Sequence, residues 1–137
     1  MSLEGTWYNE LGSVMIIDQV VDGSFQLTYE TAVSTKHCAK GTFNGSGYLN
    51  TSPLGQTIAF SISWLNDVSN CASVTAWSGQ LQDDDGEGSI MAFWLLTGIN
   101  PKTEWAPTNI GQDVFTKKPP TEDMVTQQLK LKVHSHP

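Results

Sequence analysis

Short runs in which apolar and small polar residues alternate, separated by turn residues, constrain the fold of this chain most. From Ile58 to Trp64, a large apolar side chain fills every second position, and Ala or Ser fills the positions between them. This period of two is typical of a β-strand that is buried on one face only. The same alternation recurs over residues 25–33, 73–78 and 90–96. The chain is therefore predicted to consist mainly of half-buried strands.

Clusters of Gly, Asn, Asp and Ser separate these runs and predict the turns between strands. They occupy residues 44–47, 50–55, 66–70 and 83–88. Asp22-Gly23 follows an apolar, β-branched run and predicts a tight hairpin turn. We count about eight strands, a number that suits an all-β, closed, antiparallel up-and-down barrel.

The composition argues against several classes of protein. With 137 residues, the chain has room for one domain of ordinary size. Its formal net charge of −7 argues against a nucleic-acid partner, which favours a basic surface. No apolar run approaches the roughly 20 residues that cross a bilayer, so we expect no membrane partner. No basic and apolar leader opens the sequence, so we expect no signal peptide within it.

Catalytic and metal sites are also not expected. The sequence has no Cys-x-x-Cys pair, and its histidines, His37, His134 and His136, lie outside the predicted strands. A nucleophile, a base and an orienting group cannot be assembled from them. The acidic run at residues 83–87 lacks the spacing of an EF-hand calcium loop. We therefore expect a protein that is not an enzyme and binds no metal.

Tryptophan residues share predicted strand faces with hydroxyl groups. Ser73 and Thr75 have the same parity as Trp77, and Tyr29 and Thr31 continue the apolar face of an earlier strand. Burying a hydroxyl without a hydrogen-bond partner costs about 1–3 kcal/mol, so a purely structural interior would avoid it. One interpretation is a ligand site with aromatic walls and a few placed polar groups. The other is that the hydroxyls face solvent while the tryptophans fill the core, and parity alone leaves both open.

Six segments, in order over residues 5 to 117, form one further pattern. They are Gly5–Ser13, Tyr29–Val33, Ser73–Gln80, Trp94–Thr97, Glu104-Trp105 and Gly111–Lys117. In this order and spacing, they resemble the strand motifs of the avidin and streptavidin family. The resemblance implies an eight-stranded antiparallel up-and-down barrel, and it implies biotin as the ligand.

The resemblance also implies roles for individual polar residues. Asn9, Ser13 and Tyr29 match the groups that donate hydrogen bonds to the ureido carbonyl oxygen of biotin. Asp113 and Thr31 match the groups that accept hydrogen bonds from its two ureido N–H groups. Of these two acceptors, the carboxylate makes the stronger, charge-assisted bond.

A second set of residues matches the groups around the rest of biotin. Thr75 corresponds to a hydroxyl near the thioether sulfur, and Trp105 corresponds to a tryptophan that covers the site of a neighbouring subunit. Ser73 and Thr35 correspond to positions near the valerate carboxylate. The apolar walls implied by the resemblance are Val33, Trp64, Trp77, Trp94 and Leu96.

Cys38 and Cys71 resemble the cysteine pair of bacterial members of the family, in which a disulfide ties the loop over the site to the next loop. Pairing would imply an oxidising compartment, so we expect a secreted or periplasmic protein. The disulfide-bearing members often form dimers and lack the tryptophan that Trp105 matches. This chain has the two cysteines and also Trp105. We expect a homo-oligomer, with a tetramer favoured and a dimer-based assembly as the alternative.

The extent of the resemblance predicts a biotin-binding barrel over residues 1–118 and a C-terminal extension over residues 119–137. Thr121 is a suitable cap for a short helix, whereas Leu129 and Leu131 alternate as in a strand, so the sequence leaves the conformation of the extension open.

Two other functions compete with biotin binding. They are a lipocalin-like carrier of small molecules and an avidin-like interaction protein without a ligand.

Overall fold

The computed structural model describes residues 2–32, 41–65, 72–84, 86–98 and 108–131 of the chain. Eight strands, each antiparallel to its neighbours, follow one another in chain order around a closed barrel. The barrel closes where the last strand pairs with the first, so the predicted fold class is confirmed. The strands are β1 (Gly5–Tyr8), β2 (Val14–Ile17), β3 (Ser24–Glu30), β4 (Phe43–Ser52), β5 (Gly55–Ser63), β6 (Ser73–Asp84), β7 (Glu87–Gly98) and β8 (Thr108–Thr116).

The turn between β2 and β3 has the backbone conformation that the pair Asp22-Gly23 predicts. Asp22 and Gly23 adopt positive φ values of 52° and 80°. Two consecutive positive φ values are characteristic of a type I′ turn, whose twist matches that of the flanking strands. Val21 and Ser24 close the turn through reciprocal backbone hydrogen bonds of 2.9 Å. The predicted Asp-Gly hairpin turn is confirmed.

The predicted turn at residues 44–47 is wrong, because these residues lie inside β4. Gly45 and Gly47 lie where β4 packs closely on its two neighbouring strands. A Cβ at Gly47 would come within 2.6 Å of the Phe25 ring and 2.7 Å of Phe60 Cβ. A strand glycine often marks such a close approach of backbone and neighbour. The glycines therefore permit tight packing at this position instead of reversing the chain.

Two further hairpin turns are tighter than their polar clusters predict. β4 continues to Ser52 and pairs there with Gly55, the first residue of β5. β6 extends to Asp84, which pairs with Glu87 at the start of β7. Most of the polar residues of these clusters therefore pair across a hairpin, since exposed strand ends accept polar side chains on both faces.

The seam between β1 and β8 depends on side chains as well as backbone. The two strands share one registered pair, Tyr8 with Thr116. Lys117 Nζ donates a hydrogen bond to the carbonyl oxygen of Glu4 at 2.7 Å and lies 4.3 Å from the centre of the Trp7 ring. A cation over an indole face is attracted by the ring quadrupole. These contacts hold the end of β8 against the start of β1.

Inward-facing side chains fill much of the barrel interior. Buried residues occupy alternate positions along β3, β5 and β7, as the period of two predicts. Trp7 is fully buried, and its indole N–H donates to the carbonyl oxygen of Leu3 at 2.7 Å. Besides the site residues described below, the core comprises Leu3, Trp7, Met15, Ile17, Phe25, Leu27, Ile58, Phe60, Ile62, Leu81, Ile90, Ala92 and Phe115.

The C-terminal segment forms a helix, α1 (Glu122–Leu131), after β8. Thr121 caps it, because its Oγ1 accepts the backbone N–H of Met124 at 3.2 Å. Acidic residues lie in its first turn and Lys130 lies in its last, which complements the helix dipole. None of its side chains is buried. Among the residues that the structure describes, no helix is long and apolar enough to span a bilayer.

Candidate ligand-binding site

Buried polar side chains are concentrated at one end of the barrel. Asn9, Ser13, Thr75 and Asp113 are the buried polar and charged residues of the described chain. Asn9 and Ser13 flank the turn between β1 and β2, Thr75 lies near the start of β6, and Asp113 lies on β8. Neighbouring strands are antiparallel, so these positions and Tyr29, near the end of β3, belong to the same end of the barrel. All five residues were assigned to the site from sequence.

The amide group of Asn9 is oriented by the turn that contains it. Its Oδ1 accepts the backbone N–H groups of Leu11 at 3.0 Å and Ser13 at 2.9 Å. With the oxygen held by the turn, Nδ2 points into the barrel, 3.4 Å from Tyr29 Oη and 3.4 Å from Asp113 Oδ1. An Asn side chain that bonds its own backbone in this way favours a tight turn. The turn therefore presents an amide donor to the interior.

Tyr29 is a second donor at this end of the barrel. Burial raises the pKa of Tyr29 well above its usual value of 10, and the charges of Asp113 and Glu10 raise it further, while a hydrogen bond with Ser13 acts in the opposite direction. Ser13 Oγ in turn accepts the backbone N–H of Ala32 at 3.0 Å. The Tyr29 phenol is therefore protonated at neutral pH and can donate a hydrogen bond.

Asp113 is a fully buried carboxylate with defined partners. Its Oδ2 accepts the indole N–H of Trp77 at 2.8 Å, and its Oδ1 lies 3.4 Å from Asn9 Nδ2. Phe60 stacks on Trp77, with ring centres 4.8 Å apart and planes inclined by 16°. Hydrogen bonds to an ionised acceptor are stronger than neutral ones. The carboxylate is therefore held in one orientation inside the barrel.

Aromatic rings surround these polar groups. Tyr29 lies 5.7 Å from Trp64 in an edge-to-face arrangement and 5.3 Å from Trp77. The indole N–H of Trp64 donates to Thr75 Oγ1 at 2.8 Å. The Thr75 hydroxyl thus lies inside the barrel, and the interpretation that the hydroxyls face solvent is wrong for this residue. The pairing of the strands decides that this face is enclosed, which the alternation of residues alone could not show.

Trp94 lies beside Trp77 on the same inner face of the barrel wall. It is buried and pairs in register with Trp77 on β6 and with Gly111 on β8. A Cβ at Gly111 would come 2.2 Å from the Trp94 ring. The indole therefore packs closely on the backbone of β8, two residues from Asp113. Glycine at position 111 leaves the space that the ring occupies.

The remaining predicted residues divide into two groups. Thr31, Ser73 and Leu96 are half-buried. Thr31 follows the last residue of β3, Ser73 begins β6, and Leu96 lies near the end of β7. The others lie outside the described residues: Val33, Thr35, Cys38, Cys71 and Trp105. The structure therefore brings together the polar core of the predicted set and leaves its loop residues as predictions.

Two residues near the site were not assigned to it from sequence. Phe43, at the start of β4, packs edge-to-face on Trp64 with ring centres 5.1 Å apart. Glu10 accepts the backbone N–H of Val114 at 2.9 Å, next to Asp113. Only the tertiary pairing of β1 with β8 brings Glu10 to this position, so no local pattern could have found it. Within the described part of the chain, no three His, Cys, Asp or Glu side chains are placed to hold a metal ion.

Comparison with known proteins agrees with this barrel and its buried polar end. A family model described as the avidin family matches residues 1–118. This chain belongs to the avidin family. Avidin from Gallus gallus is 30% identical over 122 residues, which cover 85% of this chain and 78% of that protein. Hoefavidin from Hoeflea phototrophica is 28% identical over 121 residues, covering 80% and 71%.

A solved avidin-family structure shares the fold. The crystal structure of Xenavidin has a TM-score of 0.74 to this chain, with 30% sequence identity, and the match covers 85% of this chain and 98% of that one. The family match ends at residue 118, before α1 begins at Glu122. The helix therefore lies beyond the segment that this chain shares with the family model.

Proposed function

We propose that this protein binds biotin without transforming it, at the polar end of the barrel. The observation that carries the proposal is the identity of its buried polar residues. Asn9, Ser13, Thr75 and Asp113, the buried polar side chains of the described chain, are all residues that the family resemblance assigns to biotin. A barrel that needed only a packed core would not bury four such groups together.

The donors suit a ureido carbonyl oxygen. Asn9 Nδ2 and Tyr29 Oη lie 3.4 Å apart, and Ser13 contacts Tyr29, so the three donors can converge on one acceptor. The contact between Asn9 and Tyr29 is long, so exchanging it for a bond to a ligand oxygen sacrifices little. Asp113 Oδ1, with Asn9 at 3.4 Å, can accept one ureido N–H as a charge-assisted bond. Thr31 is proposed to accept the other.

The apolar part of biotin is proposed to lie against the indole rings. Trp64, Trp77 and Trp94 form the walls, with Leu96 beside them, and Thr75 lies near the thioether sulfur. We assign Val33 to the apolar lining, and Thr35 and Ser73 to the entrance of the site, where the valerate carboxylate would lie. This polar and aromatic lining suits a ligand with a hydrogen-bonding head, whereas a lipocalin-like carrier of greasy ligands would not need the buried carboxylate.

The protein is further proposed to act as a homo-oligomer, with a tetramer favoured over a dimer-based assembly. The outer faces of β6, β7 and β8 carry apolar side chains next to one another, since Leu95 pairs with Ala76 and Ile110. Phe93 is 62% exposed and Ile110 is 73% exposed. An exposed apolar patch of this kind is typical of an interface. We assign Trp105 to the site of a neighbouring subunit.

Light scattering tests this assembly. The unmodified protein should have the mass of a tetramer, and the double variant Phe93→Lys, Ile110→Lys should have a smaller mass because lysine cannot be buried in an apolar contact. Asp18→Lys, an exposed position on the loop between β2 and β3, serves as the control. A monomeric unmodified protein would contradict the proposal.

A secreted or periplasmic location and a disulfide between Cys38 and Cys71 complete the proposal. The disulfide would tie the two loops at the open end of the barrel and assign the chain to the bacterial type of avidin. A thiol assay on the denatured, unreduced protein tests it, and two free thiols would contradict it. If the cysteines are paired, reduction should lower the melting temperature, because the crosslink restricts the unfolded chain.

Titration with biotin tests the proposed function directly. We expect tryptophan fluorescence to change up to an endpoint near one biotin per chain, together with a rise in melting temperature, since a ligand that binds only the folded state stabilises it. The control is a biotin analogue whose ureido group is replaced. If folded, ligand-free protein fails to respond to biotin, the interaction-protein hypothesis takes its place.

A further inference from the structure

The end of β1 leaves an open place in the sheet beside Asp113. β1 stops at Tyr8, whereas β8 continues along the barrel wall, and their registered pairing is confined to Tyr8 and Thr116. Within a strand, the N–H groups of residues two apart point towards the same neighbour. The N–H of Val114 therefore faces the side on which β1 has already ended.

The carboxylate of Glu10 occupies this place. Glu10 lies in the turn after β1, and its Oε1 accepts the N–H of Val114 at 2.9 Å. A charged acceptor makes a stronger bond than a backbone carbonyl would. The preceding residue, Asn9, reaches Asp113 Oδ1 at 3.4 Å. Consecutive residues of one turn therefore contact consecutive residues of β8.

We infer that Glu10 is a positioning residue for the ligand site: it fixes the backbone of β8 at Val114 and so holds the Asp113 carboxylate in place. The inference rests on the biotin-binding function proposed above. The peptide that Glu10 holds is the one that joins Asp113 to Val114, so a shift of this peptide would move both carboxylate oxygens. Oδ2 would then leave the 2.8 Å bond from Trp77.

The physical benefit is a preformed acceptor. A ligand that meets a fixed carboxylate does not have to order it, so less of the binding free energy is lost. Without the Glu10 bond, the Val114 N–H would lose the acceptor that holds it on the β1 side, while pairing with β7 would still hold the other side of β8. Local opening is easiest where few hydrogen bonds must break, so Val114 would then exchange its amide proton more readily.

Matched variants separate the hydrogen bond from the charge. Glu10→Gln keeps an oxygen acceptor and removes the charge. Glu10→Ala removes both, and Glu10→Leu does so with a larger side chain, in case Ala weakens folding. Asp18→Ala removes an exposed carboxylate elsewhere on the barrel and is the control.

Two readouts are measured on the full chain. The first is the hydrogen-exchange rate of the Val114 amide in ligand-free protein, followed by NMR. The second is the dissociation rate of labelled biotin, chased with excess unlabelled biotin. We expect Glu10→Ala and Glu10→Leu to raise both rates by about tenfold, the effect of losing one hydrogen bond to a charged group. Glu10→Gln should stay within about threefold of the unmodified protein in both.

Three results would overturn the inference. The first is unchanged Val114 exchange in Glu10→Ala or Glu10→Leu. The second is faster Val114 exchange with an unchanged dissociation rate. The third is a defect in Glu10→Gln as large as that in Glu10→Ala, which would show that charge, and not the bond to Val114, matters. If the unmodified protein does not bind biotin at all, the proposed function fails, whereas the Val114 exchange rates still report on the Glu10 bond.

Discussion

Replacing Asp113 with Ala tests the chemistry of the site most directly. Asp113 is fully buried, and its Oδ2 accepts the indole N–H of Trp77 at 2.8 Å. If the carboxylate accepts a ureido N–H, Asp113→Ala removes one hydrogen bond to a charged group, worth about 1.5–3 kcal/mol. This loss corresponds to a roughly 10- to 150-fold increase in Kd for biotin.

The same substitution also affects the ligand-free protein. The Trp77 indole N–H would lose its acceptor inside the barrel, and a buried donor left without a partner costs about 1–3 kcal/mol. Asp113→Ala should therefore lower the free energy of unfolding as well as the affinity. Asp113→Asn retains the shape and one oxygen acceptor, so its losses in affinity and stability should be smaller.

Biotin dissociation measured by competition, together with urea denaturation, separates the two effects. The control is Asp18→Ala, which removes an exposed carboxylate and should change neither quantity appreciably. A Kd for Asp113→Ala within about threefold of the unmodified value, in folded protein, would refute the assignment of Asp113 to the ligand.

Three other predictions concern the wall of the site, its titration and the C-terminal helix. A Cβ at Gly111 would come 2.2 Å from the Trp94 ring, so Gly111→Ala should destabilise the fold by about 1–3 kcal/mol in urea denaturation and also weaken biotin binding. The pKa of Tyr29 is raised, mainly by burial, so the folded state keeps the phenol proton at a pH where the unfolded state loses it. The free energy of unfolding should therefore fall as pH rises above about 10, and Tyr29→Phe should flatten this fall. Thr121→Ala removes the cap on Met124 and should cost the helix about 1 kcal/mol, seen as lost helical circular dichroism that Thr121→Ser restores. An unchanged urea midpoint in Gly111→Ala would contradict the first prediction, and an unchanged alkaline slope in Tyr29→Phe would contradict the second. An unchanged circular dichroism spectrum in Thr121→Ala would contradict the third.

The strands and their faces could be predicted from the sequence because alternation is a local property. Ile58, Phe60 and Ile62 point inward in β5, and Trp64, the residue after Ser63, is buried as well, as their spacing predicts. The Asp22-Gly23 turn was also predictable, since its positive φ values depend on the two residues themselves. The resemblance of scattered motifs to the avidin family then supplied the order of the strands and the candidate site.

Other features were beyond local patterns. Gly45 and Gly47 are turn formers by composition, yet they lie in β4. Ile62 and Leu27 leave no room for a Cβ at Gly45, and the Phe25 ring and the Phe60 Cβ leave none at Gly47. Parity could not decide whether Thr75 faces solvent or the barrel interior, because the two faces of a strand are equivalent until neighbouring strands enclose one of them. The hydrogen bond from Trp64 to Thr75 forms only when β5 and β6 pair.

The sequence by itself determined which residues alternate, where the tight β2–β3 turn forms and which side chains are chemically able to hold a ureido group. Tertiary structure decided which of them meet. Glu10 and Val114, like Asn9 and Asp113, are 104 residues apart in the chain and come together only when β8 closes the barrel against β1. These contacts between the turn after β1 and β8 depend on the twist and pairing of all the strands from β2 to β7. No local sequence pattern encodes the combined geometry of those strands.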